Sequence, residues 1–272
     1  MKENNVRMPS VAGLFYPAGE KELENELREY FAFAEKEVSG DILNKARGAK
    51  ILVVPHAGYA YSGPTAACGY WALEHVARKP KRIVLVGPSH QKYFKGAVVG
   101  VHSAWKTPLG RVPIGEKFSA GQWHSRGVRT EGDMFDAEHS LEVQIPFLRA
   151  VFKDLMLVPI MYSDIPSSEL ADIFEAVDDN DTVFVVSSDL SHYLPYREAQ
   201  KIDGISNKLI RDMATEEAED HLDACGKIGI IAGMRYAKKL GLSDVLVNYL
   251  NSGDTAGDKD AVVGYAAHLF YK

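Results

Sequence analysis

Cysteine is scarce: Cys68 and Cys225 are the only two in 272 residues. Two thiols are too few for a disulfide framework, which argues against a small cross-linked secreted scaffold. No apolar run approaches the roughly 20 residues needed to cross a bilayer. The first residues, MKENNVRMPS, lack the apolar stretch of a signal peptide. Positive charge is short as well, 31 basic residues against 37 acidic for a net −6. Nonspecific binding to nucleic acid or an anionic membrane surface needs a basic face, so neither partner is expected. The small basic cluster Lys79, Lys81 and Arg82 is explained equally well by a turn entering a strand. Glycine-rich phosphate loops of the Walker and Rossmann types are absent, as is a G-x-S-x-G nucleophile elbow. A cytoplasmic location is the expectation.

What the chain does have is alternation. Short, apolar, β-branched runs at 51–54, 83–86, 155–160, 183–186, 245–247 and 261–267 suit strands buried on both faces. Between them lie helical patterns at 20–36, 64–77, 140–152, 167–177, 198–214 and 224–240. The second is expected to open with Pro64 near its first position and the last to stop at Gly241. Residues 96–132, dotted with glycine and proline, read as an irregular or hairpin-rich excursion. This predicts an α/β fold, a mainly parallel central sheet flanked by helices on both faces, with residues 1–272 as one domain.

Three strands end in the same way. Residues 51–54 run into Pro55 and His56, residues 83–86 into Ser89 and His90, and residues 183–186 into Asp189 and His192. Ligands of open α/β sheets bind where the loops beyond the carboxyl ends of the strands meet. One histidine after a strand is usually a hydrogen-bonded structural residue, but three similar exits point to a shared site. Imidazole nitrogens suit iron, zinc, copper and nickel. Asp189 can ligate or orient an imidazole, and an unligated His192 titrates where acid–base catalysis needs it.

Cys225 reads two ways. Spacing alone favours a small buried hydrophobe; a place in the first turn of a helix capped by Asp223 would instead favour a thiolate. Glu138, His139 and Glu142 are either pocket residues or a helix-capping arrangement. Tyr59, Tyr61, Ser89, Trp105 and Tyr193 are candidate pocket walls by adjacency. Cys68, His75, His102, His124, His221 and His268 have no comparable context and read as core, surface or packing residues.

Six blocks carry a family likeness: R-x-P-x-V-A-G-x-F-Y-P at residues 7–17, P-H-A-G-Y-x-Y-S-G at 55–63, G-P-S-H at 87–90, T-P-L-G at 107–110, E-H-S-L-E-V-Q-x-P-F-L at 138–148 and S-S-D-L-S-H-Y at 187–193. In this order they resemble the Memo family, which includes the eukaryotic Memo protein and the B component of the prokaryotic AmmeMemoRadiSam system. The resemblance implies a fold similar to the LigB-type class III extradiol dioxygenases, nonhaem iron enzymes. It places metal ligands on His56 and His90, the family's site cysteine on Cys225, and the dioxygenases' catalytic histidine on His192, with Asp189 beside it. A thiolate where those enzymes carry a glutamate would change metal preference.

The functions implied are a metal-dependent oxidoreductase using iron, with copper or zinc as the other metals, acting on a small molecule; or a binding protein using the same pocket for a phosphopeptide, a protein partner or metal handling. A metal-dependent hydrolase is the third reading, and partners in a radical-SAM system the fourth.

Overall fold

A computed structural model describes residues 5–77, 79–115, 120–179 and 181–272. The strands Ile51–Val54, Thr182–Ser187, Arg82–Pro88 and Met156–Tyr162 lie side by side in that order, all parallel. Their side chains alternate between the faces, as the two-residue period of a strand requires. Leu52, Val54, Ile83, Leu85, Val183 and Val185 enter one core. Ile51, Val53, Val84, Val86, Phe184 and Val186 enter the other. Both faces are therefore buried, and each valine, leucine or isoleucine so buried contributes about 1.5–3 kcal/mol. Helices Glu20–Glu37, Tyr59–Val76 and Gln144–Val151 cover the first core, and Ser167–Val177 and Lys227–Leu240 the second.

The sheet is mixed rather than wholly parallel. Val262–Tyr271 joins Ile51–Val54 antiparallel, Ser243–Asn251 pairs antiparallel with Val262–Tyr271, and Ala97–Val99 closes antiparallel on Met156–Tyr162. Residues 96–132 include a hairpin of Ala104–Thr107 with Gly110–Pro113, which joins Val6–Arg7 in a separate three-stranded sheet.

The helix expected at 198–214 runs Tyr196–Arg211, and three others depart further from expectation. The helix expected from Pro64 begins at Tyr59. Its first turn is held from outside: the Tyr59 amide donates to the Phe15 carbonyl and its hydroxyl to the Val143 carbonyl. These tertiary contacts override the tendency of proline to stand at a helix start. The helix expected over 140–152 is two segments, His139–Glu142 and Gln144–Val151, meeting at Val143. The last helix begins at Lys227 with Gly226 at its cap, so Cys225 precedes it and Asp223 does not cap it. No helix among the described residues is long and apolar enough to cross a membrane.

Candidate metal centre

His56 and His90 each lie two residues beyond the carboxyl end of a central strand, as does Asp189. They meet in a cavity of about 970 Å³ that His139, His192, Tyr61, Tyr193 and Cys225 also line. His56, His90 and His139 form a tight group whose ligand atoms lie within 4.8 Å of one another. His139 opens the short helix His139–Glu142, and its ring stacks against His90 with centroids 4.8 Å apart. Phe15, from the N-terminal segment, packs on the same ring at 4.8 Å.

Hydrogen bonding fixes which nitrogen each imidazole presents. The Ser187 hydroxyl donates its one hydrogen to the Ser140 carbonyl at 2.6 Å and accepts from the Gln144 amide at 2.8 Å. It has only acceptor capacity left for His56 Nδ1, 2.9 Å away, so that nitrogen carries the hydrogen. His56 Nε2 therefore presents a lone pair. His90 Nδ1 donates to Glu138 Oε1 at 3.1 Å, and His139 Nδ1 lies 3.4 Å from the same oxygen. Both rings are thus oriented with Nε2 as the free nitrogen. A carboxylate on the remote ring nitrogen is the usual support of a metal-binding histidine.

Glu138 is buried, and its oxygens also accept from the backbone amides of His90, Gln91 and Ser140. Burial alone would push its pKa up; the hydrogen bonds from His90 and Ser140 outweigh that and hold it at about 2. Burial moves His56 in the opposite sense for a base, well below 6.5, and the neighbouring His90 and His139 add to it. Burial likewise lowers His139, so His56 and His139 favour the neutral imidazole beside a charged carboxylate, the protonation states a cation requires.

Both shifts make the protein acid-sensitive. Below about pH 6.5 the unfolded chain protonates His56 while the folded chain resists, so stability falls as pH falls. The contribution of Glu138 is complete above its ordinary value of 4.5 and is lost as pH falls toward about 2. Thermal melts of chelator-treated protein are expected to show a falling midpoint from about pH 6.5 downward, and Glu138→Gln to flatten the limb below about pH 4.5. Because Asp189, raised to about 6 by burial, works in the opposite direction, the variant comparison decides: a Glu138→Gln limb as steep as the parent's below about pH 4.5 would contradict the Glu138 assignment.

Cys225 sits beside the trio, its sulfur 3.2 Å from His56 Nε2 and accepting the Asp189 amide at 3.3 Å. The thiolate favoured by a helical first turn is not found. Cys225 lies ahead of the helix, and burial with the nearby Asp189 charge pushes its thiol up to about 12. It is a thiol donating to His56. Gly226 makes this approach possible: a Cβ there would meet the Ser188 side chain at 2.6 Å and the Ser187 carbonyl at 2.8 Å. Asp189 is buried, which raises its pKa, and accepts the His56 backbone amide at 2.7 Å. Tyr193, next to His192 at the cavity rim, is held at φ 58°, a left-handed conformation costly for any residue but glycine.

Other candidates lie elsewhere. Tyr59 faces the core, not the cavity. Trp105 is buried beneath Arg7. The Ser89 hydroxyl donates to the Lys92 carbonyl. Glu142 ion-pairs with Arg7 at 2.8 Å and accepts from the Ser10 and Val11 amides and the Tyr16 hydroxyl, which ties down the N-terminal segment. Gln144 and Ser187, which lock the His56 tautomer, are residues the sequence reading did not single out as site members; only the polar run at 138–144 hinted at the first.

The Memo-like protein family model matches residues 7–269. A MEMO1 family protein of Pyrobaculum arsenaticum is 39% identical, over 98% of this chain and 99% of its own. One of Aquifex aeolicus is 35% identical, over 97% and 99%. An uncharacterized protein of Escherichia coli K12 with a solved structure shares the fold at 12% identity, with a TM-score of 0.55, covering 81% of this chain and 99% of that one. On the family match and these full-length relatives, the chain belongs to the Memo family.

Proposed function

We propose that the chain is a metal-dependent oxidoreductase of the nonhaem-iron type, with His56, His90 and His139 holding the ion and a small organic substrate occupying the cavity above them. The observation that carries this reading is the trio itself, three imidazoles with ligand atoms within 4.8 Å, each with Nδ1 directed at a supporting oxygen. Iron(II) bound there would supply a Lewis acid and a redox centre with positions left for substrate. His192 lines the cavity and serves as the acid–base group, giving or taking a proton at a ring nitrogen. Asp189 holds the His56 backbone in place. The Cys225 thiol donates to His56 Nε2, so it must turn away before that lone pair reaches a cation.

That same closeness of sulfur and imidazole favours a second reading, copper handling, because a soft sulfur beside an imidazole suits Cu(I).

The deciding experiment is metal analysis of protein purified without oxygen, alongside His139→Ala and Cys225→Ala. Near-stoichiometric iron, lost in His139→Ala and kept in Cys225→Ala, with oxygen consumed in the presence of a substrate, is the expected result. Loss in Cys225→Ala alone would move the third ligand to sulfur and favour copper handling. Failure to take up Fe(II), Cu(I) or Zn(II) would overturn both readings.

A further inference from the structure

The cavity changes character along its length. Its inner end holds buried His56 together with His90 and His139; its outer end holds Tyr61 and Tyr193, 43% and 76% exposed, with the exposed Asp258. Among the described lining residues there is no lysine or arginine. A phosphate or carboxylate at the outer end would face Asp258 without the cationic partner such groups ordinarily find. An ammonium there meets the opposite conditions, a carboxylate and two tyrosine side chains, residue types with which a cation pairs favourably. Tyr193 keeps its side chain at the rim although its backbone angle would suit glycine better. The volume, about 970 Å³, is at the upper end for a small-molecule site and admits a ring with an attached chain.

We infer that the ligand of this cavity carries a protonated alkylamine, its ammonium lying among Tyr61, Tyr193 and Asp258. The assignment rests on the cavity being the substrate site, as proposed above. It makes Asp258 a specificity residue and excludes phosphorylated and carboxylated compounds as preferred ligands.

Calorimetric titration with three probes of one ring type tests it: tyramine, 4-hydroxyphenylacetate and 4-hydroxybenzylphosphonate. The full chain is titrated as purified and again after chelation, with metal content measured on both samples. Tyramine is expected to bind roughly tenfold more tightly than either anion, from one exposed carboxylate and the two tyrosines together. Asp258→Asn, on an exposed loop, should cut that preference to roughly two- to threefold. Either anion matching tyramine, no tyramine binding at millimolar concentration, or a preference untouched by Asp258→Asn would overturn the inference. Absence of metal would sink the oxidoreductase reading alone, since the probes are compared with and without the ion.

Discussion

Replacing Arg7 with methionine is expected to destabilise the protein by about 3–5 kcal/mol, the range for removing one partner of a buried ion pair. Arg7 and Glu142 are each 1% exposed at the side chain and 2.8 Å apart. The guanidinium also donates to the Phe135 and Glu138 carbonyls and lies over the Trp105 ring at 4.5 Å. Without it, Glu142 remains a buried carboxylate with neutral donors but no countercharge. Whole-domain stabilities are about 5–15 kcal/mol, so the loss is a large fraction of the total. Guanidinium melts of Arg7→Met, Glu142→Gln and the double variant measure it. The double variant should lose less than the two single variants combined, because the orphaned charge is gone. A single-variant loss below about 1 kcal/mol would show that the pair is dispensable. Because Glu142 also anchors Ser10, Val11 and Tyr16, Arg7→Met should loosen the packing of Phe15 on His139.

The second large effect is expected at Glu138. Glutamine has the same shape, but one of its two ends is an amide nitrogen that donates. The pocket around Glu138 presents only donors: three backbone amides and two imidazole nitrogens. The amide nitrogen must therefore face at least one of them, and the carboxylate that orients His90 and His139 is lost. Altering such a support commonly lowers metal affinity by about 10–100-fold. Competition against a calibrated chelator, with Zn(II) as the probe ion, measures that change without any assay of turnover. Melting curves of the metal-free variant separate a misplaced ligand set from a disturbed fold. Parent-like affinity in Glu138→Gln would remove Glu138 from its supporting role.

The central strands were legible because burial on both faces leaves no room for polar residues, and runs such as Ile51–Val54 advertise that directly. His56, His90 and Asp189 were legible for a related reason: strand ends in a parallel sheet open onto one edge. Strand direction was not legible. The apolar runs within Ser243–Asn251 and Val262–Tyr271 mark strands, but nothing in their pattern distinguishes parallel from antiparallel pairing. His139 was ambiguous because a histidine beside glutamates at a helix start fits capping as well as ligation. Its membership in the trio depends on where Glu138 sits, a contact spanning 48 residues to His90. Cys225 was assigned to a helix it only approaches, since helical periodicity cannot see that Gly226 must pack against Ser188. Tyr59 and Trp105 show the weakness of adjacency: a neighbour in sequence can point its ring into the core.

The three imidazoles come from distant parts of the chain, at positions 56, 90 and 139, and no two lie within a turn or hairpin of each other. An unfolded chain cannot gather them, so a cation that binds the trio binds only the native state. Occupancy then acts as a thermodynamic latch: at a free ion concentration 100 times its Kd, it adds about 2.7 kcal/mol to the stability of the fold. The melting point of this protein should therefore track free metal, and a shift in melting point would report binding even when no reaction is known.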